Sequence, residues 1–133
     1  MKKLTVFLGG TTNSKWRDKL IPMLNNKISA FNPIVEKWTE QARVNELLHR
    51  EQDDILLYVF SPLRIGYYSI AEVIDDSNKR PNKTIFCILE EDEGKKFSIK
   101  ENKSLEAIKK IVKNNGATFA CWDKLAEKLN SLV

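Results

Sequence analysis

The sequence carries a single histidine, His49, and only two cysteines, Cys87 and Cys121. Imidazole-based metal sites and serine- or cysteine-type triads therefore have little to be built from. Two cysteines are too few for a disulfide framework. Cys87 sits inside the apolar run Ile85-Phe86-Cys87-Ile88-Leu89, where it behaves as a small hydrophobe, and a reducing compartment suits both thiols. No apolar run approaches the ~20 residues of a membrane span. The opening residues are basic and then apolar, but Gly9-Gly10 ends that run before a secretory signal would be complete. The expected setting is the cytoplasm, without a membrane partner.

A strong excess of one charge is also missing. Lys and Arg number 22 against 18 Asp and Glu, for a net charge of +4. Many lysines fall between Lys79 and Lys113, but acidic residues interrupt them, so a solvated face is expected there and no nucleic-acid partner. The mild basic excess still suits an anionic small ligand. With 133 residues, 42% apolar and 30% charged, the chain is sized for one domain, 1–133, with a real hydrophobic core.

What is present is an alternation of short apolar runs and amphipathic segments. Strands are expected over 4–8, 28–31, 55–60, 84–89 and 117–121. Between them lie a helix over 15–24 capped by Ser14, one over 41–52 with Val44, Leu47 and Leu48 on its apolar side, and one from Ser69. Further helices are expected over 104–114, stopped by Asn115-Gly116, and over 123–132. The near-continuous apolar run 55–60 suits a central parallel strand covered on both faces. Five strand–helix alternations predict an α/β, three-layer doubly wound domain with a five-stranded parallel sheet, flavodoxin-like in type. The stretch 90–103 reads as a mobile loop beside the ligand edge.

In such a sheet, ligands bind beyond the carboxyl ends of the strands. Three loops should meet there: Gly9-Gly10-Thr11-Thr12-Asn13-Ser14, the segment from Asn32-Pro33 to Trp38, and 61–68 leading into Ser69-x-x-Glu72. Glycines in the first let backbone N–H groups approach a ligand. Glu72 is expected in the first turn of its helix, where the positive end of the dipole favours the ionised form that a glycosyl-transfer nucleophile needs. Other residues suit two roles. Trp16 and Trp38 can pack or stack on a base, Tyr67 and Tyr68 stand in a loop that can line a pocket, and Glu46 is either a surface carboxylate or one that reaches the site. Asn32 serves the Asn-Pro turn first and ligand contact second.

Several of these pieces fall in an order that resembles the nucleoside 2-deoxyribosyltransferase-like family over nearly the first ninety positions. They are Val6-Phe7-Leu8-Gly9-Gly10, Ser14-Lys15-Trp16-Arg17, Phe31-Asn32-Pro33 with Trp38, Asn45-Glu46 ahead of Asp54-Ile55, and Ser69-x-x-Glu72. The resemblance implies a double displacement at the anomeric carbon of a nucleoside or nucleotide. Glu72 falls on the nucleophile's position, and Asp54 on that of an acid that helps protonate the leaving base. Ser69 stands where some nucleotide-hydrolysing relatives hold a phosphate. Gly9, Gly10, Asn13, Trp16, Asn32, Arg64 and Tyr68 are the other candidate substrate binders. No metal or redox cofactor is implied, and a homodimer or larger homo-oligomer is. Two departures stand out: Phe7 replaces a tyrosine common on strand one, and the loop 63–68 lacks the acid that binds sugar hydroxyls, offering Arg64 instead. They motivate a second expectation, a non-catalytic nucleotide-binding or sensor module on the same fold. A third is a glycohydrolase of a dinucleotide such as NAD.

Overall fold

A computed structural model describes residues 2–133. Its strands are β1 (Leu4–Gly10), β2 (Ile28–Phe31), β3 (Ile55–Phe60), β4 (Thr84–Ile88), β5 (Glu91–Asp92), β6 (Lys95–Lys96) and β7 (Thr118–Cys121). Five of them form one parallel sheet in the order β2-β1-β3-β4-β7, while β5 and β6 make a small antiparallel hairpin. The register sets Phe7 beside Phe31 and Leu56, Leu57 beside Ile85, and Cys87 beside Ala120.

Helices α1 (Trp16–Leu20), α2 (Glu40–Gln52), α3 (Tyr67–Lys79), α4 (Ile99–Asn114) and α5 (Trp122–Asn130) follow in turn. The two-residue period of the strands sends Val6, Leu8, Leu57 and Val59 to one face, where they meet Trp16 and Leu20 of α1 and Leu125 and Leu129 of α5. Phe7, Leu56, Tyr58 and Phe60 face the other way, against Val73 of α3 and Leu105 and Val112 of α4. The architecture is the expected three-layer, flavodoxin-like α/β domain.

Local differences from the sequence reading have local causes. The helix expected over 15–24 ends as an α-helix at Leu20 and tightens into the turn Ile21–Met23, because Pro22 has no N–H to continue the ladder. Helix α4 begins at Ile99, earlier than 104, because Ser98 and Glu101 form a capping box with bonds of 3.1 and 2.8 Å. The stretch 90–103 is therefore a hairpin and a helix start rather than a mobile loop. Gly116, at φ +97°, ends α4 as expected.

Helix α2 is turned the other way round from expectation. Val44, Leu47 and Leu48 are exposed, and its buried side chains are Glu46 and Arg50. A helix that buries its charges must have partners waiting for them, and these lie on α3.

Candidate active site

The chain leaves β1 toward α1 on one face of the sheet and leaves β3 toward α3 on the other. The crevice between their carboxyl ends is the topological switch point of this strand order. A cleft of about 660 Å³ opens there. Gly9, Gly10, Thr11 and Thr12 form one wall; Pro33, Ile34, Val35 and Trp38 form a second; residues 64–69 form a third. All three expected loops meet. Gly10 is fixed in this role by a φ of +109° and by Val59, whose carbonyl oxygen would lie 2.0 Å from any added Cβ.

The floor is charged. Glu72 of α3 is 6% exposed and its Oε2 has no hydrogen-bond partner among the described residues. Arg50 Nη1 approaches that oxygen to 3.5 Å, which is an ion-pair contact without a hydrogen bond. The Glu46 carboxyl from α2 lies within hydrogen-bonding reach of Glu72. Burial foremost, then the bond and like charge of Glu46, push the Glu72 carboxyl up to about 9, against the opposing pull of Arg50.

This overturns the expectation of a carboxylate ionised by a helix dipole. Helix α3 starts at Tyr67 behind Gly66, at φ +77°, rather than at Ser69, so Glu72 lies in its second turn and beyond the reach of the terminal dipole. A shift in that direction favours the protonated form of Glu72 at neutral pH.

Beneath the floor, Arg50 spends most of its charge elsewhere. Its Nε and Nη2 donate to Asp76 at 3.0 and 3.2 Å, and Nη2 to Asp75 at 3.0 Å. Asp76, fully buried, also accepts from Arg80 at 2.6 Å and from the Tyr58 hydroxyl. Burial, with Asp76 and Glu72 nearby, holds that phenol above its ordinary value. The Asp75–Asp76–Arg50 cluster leaves Glu72 with only a weak claim on the guanidinium.

The sequence candidates divide clearly. Glu72, Gly9, Gly10, Arg64, Tyr68 and Ser69 line the cleft, with the Ser69 hydroxyl donating to the Gly10 carbonyl at 3.2 Å. Asp54 does not belong with them. It precedes β3 at the opposite edge of the sheet, roughly 20 Å from the cleft at the rise of a strand. There it accepts from the Thr5 N–H and hydroxyl at 2.9 and 3.1 Å. It lines a separate cleft of about 640 Å³ with Lys2, Lys3 and Lys27, and so cannot assist Glu72. Trp16 is not a base-stacking group: it is wholly buried in the α1 face, donating to the Thr11 carbonyl at 2.9 Å. Asn32 accepts from Ile34 N–H at 3.0 Å in a turn, and neither it nor Asn13 lines the cleft.

Sequence reasoning missed Arg17 as a cleft residue and left Glu46 undecided. A signal was available: Glu46 and Arg50 on α2, and Glu72 and Asp76 on α3, are each four residues apart, so each pair shares a helix face. Among the described residues, no group of three or more His, Cys, Asp or Glu side chains is arranged to hold a metal. Comparison with family models, with curated proteins and with solved structures finds no match to the chain.

Proposed function

We propose that the cleft cleaves the N-glycosidic bond of a nucleoside or nucleotide, as an N-glycosidase or N-glycosyl transferase of the nucleoside 2-deoxyribosyltransferase-like type. The observation that carries this reading is the buried Glu46–Glu72 carboxyl pair, holding a proton at the floor of an aromatic-rimmed cleft at the sheet's switch point. Such a pair supplies a nucleophile and a neighbour that can take its proton, and a carboxylate beside C1′ stabilises an oxocarbenium-like transition state. Trp38, Tyr67 and Tyr68 offer exposed ring faces at the rim, suited to a planar base.

In the first step Glu72 passes its proton to Glu46, and the departing base takes one from water at the open rim of the cleft. The C1′–N bond breaks with its electrons on the base, and the freed Glu72 carboxylate bonds to C1′. Glu46 assists from beside the nucleophile by holding that proton, a place Asp54 cannot take. Water then attacks C1′ and breaks the ester, its proton neutralising the hydroxide left by the first step, and Glu46 returns the pair's proton to Glu72; a second base in place of water gives transfer.

The test is release of free base from a panel of nucleosides, nucleotides and NAD, followed by chromatography. Wild-type protein should release base from at least one of them, with Glu72→Ala slower by about 10²–10⁴-fold. Equal inactivity of both proteins across the panel, with ligand binding retained, would instead support the sensor module. Nicotinamide as the sole product would mark a dinucleotide glycohydrolase.

A further inference from the structure

Arg17 is a buried cation that makes no ion pair among the described residues. It sits on α1, is 2% exposed, and lines the cleft on the β1 side. Its Nε donates to the Leu8 carbonyl at 3.0 Å and its Nη1 to the Thr11 carbonyl at 2.8 Å. Its guanidinium carbon rests 4.3 Å from the centre of the Trp16 ring. These contacts fix the fork's orientation without neutralising it. Among the described residues Arg17 makes no ion pair within 4 Å, and its Nη2 donates to nothing.

A buried, unneutralised guanidinium is costly, and burial does pull its proton affinity down, to about 10, against the nearby charges of Glu46 and Asp18. Carbonyl-only clamping of an arginine against a cleft leaves the unused edge of the fork for an anion, and that edge suits phosphate or carboxylate geometry.

The charge balance of the walls favours phosphate. Of the other arginines lining the cleft, Arg43 is spent on Glu40, at 2.5 and 3.0 Å. Arg64 forms no ion pair among the described residues and stands exposed on the wall formed by residues 64–69. Two free cations therefore face a carboxyl pair that carries a proton, leaving a positive surplus for a ligand to match.

We propose that Arg17 anchors a phosphate monoester, with Arg64 as an outer second contact, so that the cleft takes a nucleotide in preference to a nucleoside. The anion site stands on Arg17's geometry alone; its identification as the substrate's own phosphate rests on the N-glycosidase reading.

Calorimetry on Glu72→Gln protein, in which turnover is blocked, separates the two. The probes are nucleosides, their 3′- and 5′-monophosphates, ribose 5-phosphate and inorganic phosphate. At least one monophosphate should bind about 10- to 100-fold tighter than its nucleoside, the range of one charge-assisted anchor. Inorganic phosphate alone should compete with it, and raised salt should shrink the ratio. Arg17→Gln should bring the ratio close to one, Arg17→Lys should keep part of it, and Arg64→Gln should lower it less. A ratio near one for every pair overturns the proposal, as does an unchanged ratio in folded Arg17→Gln. If Arg17→Gln fails to fold for want of its carbonyl contacts, Arg17→Lys decides: a full ratio there overturns the requirement for the planar fork. A clear ratio with no base release by wild-type protein keeps the anion site and removes the N-glycosidase reading. Base release from nucleosides as fast as from monophosphates, with a ratio of one, does the reverse.

Discussion

A carboxyl held well above its ordinary range leaves a thermodynamic mark. In the unfolded chain Glu72 loses its proton near 4.5, and in the folded protein near 9. Between those values the folded state binds more protons than the unfolded one, so Glu72's contribution to stability is complete below about 4.5 and is lost as pH rises toward 9. Glu72→Gln cannot ionise and should escape the loss. Its melting temperature relative to wild type should therefore rise from pH 4 to pH 9, which a thermal scan at several pH values checks; a constant difference would place the proton elsewhere. Asp54 behaves in the opposite sense. The hydrogen bond from the Thr5 backbone holds its carboxyl below the usual range, so its contribution fades as pH falls. Asp54→Ala should cost about 0.5–1.5 kcal/mol by chemical denaturation and leave base release intact. Glu72 could be singled out from the sequence because its motif is local. The pairing with Glu46 could not, since the two are brought together only by the packing of α2 on α3.

At the scale of elements, α2 shows where a periodic pattern informs and where it stops. Spacing of Val44, Leu47 and Leu48 reveals a helix, and the structure has one at Glu40–Gln52. The same spacing cannot say which face turns inward, because Glu46 and Arg50 recur with the same period on another side. The carboxylates of α3 decide the matter: an arginine that meets Asp75 and the buried Asp76 and Glu72 at once has a stronger claim on the interior than the three aliphatic groups left exposed. The contrast is measurable by urea unfolding. Leu47→Lys, on the exposed face, should change stability by less than about 0.5 kcal/mol. Arg50→Met should cost about 3–5 kcal/mol, because it strands buried carboxylates. Equal costs would show that α2 packs the other way round.

Over the whole molecule, the sheet and its layers were legible in the order of apolar and amphipathic segments. Parallel strands joined by short helical crossovers admit few arrangements, and the crossover handedness leaves fewer. The same constraint puts Gly10 where β1 ends against β3, so Gly10→Ala must displace Val59 and should destabilise the domain by at least about 2 kcal/mol in a thermal melt. Strand positions, the switch-point edge and Glu72 beside it all follow from patterns confined to neighbouring residues, and so were determined by the sequence alone. Asp54 and Trp16 show the limit of such patterns. Each carries suitable chemistry at a suitable place in the chain, yet a strand's length separates Asp54 from the cleft and the α1 face swallows Trp16. Only the tertiary structure decided that Glu46 is Glu72's partner, that Arg50 lies beneath them and that Arg17 lines the cleft without an ion pair. The reason is physical: proton affinity and charge balance depend on burial and on distances between groups far apart along the chain, quantities that exist only once helices and sheet are packed.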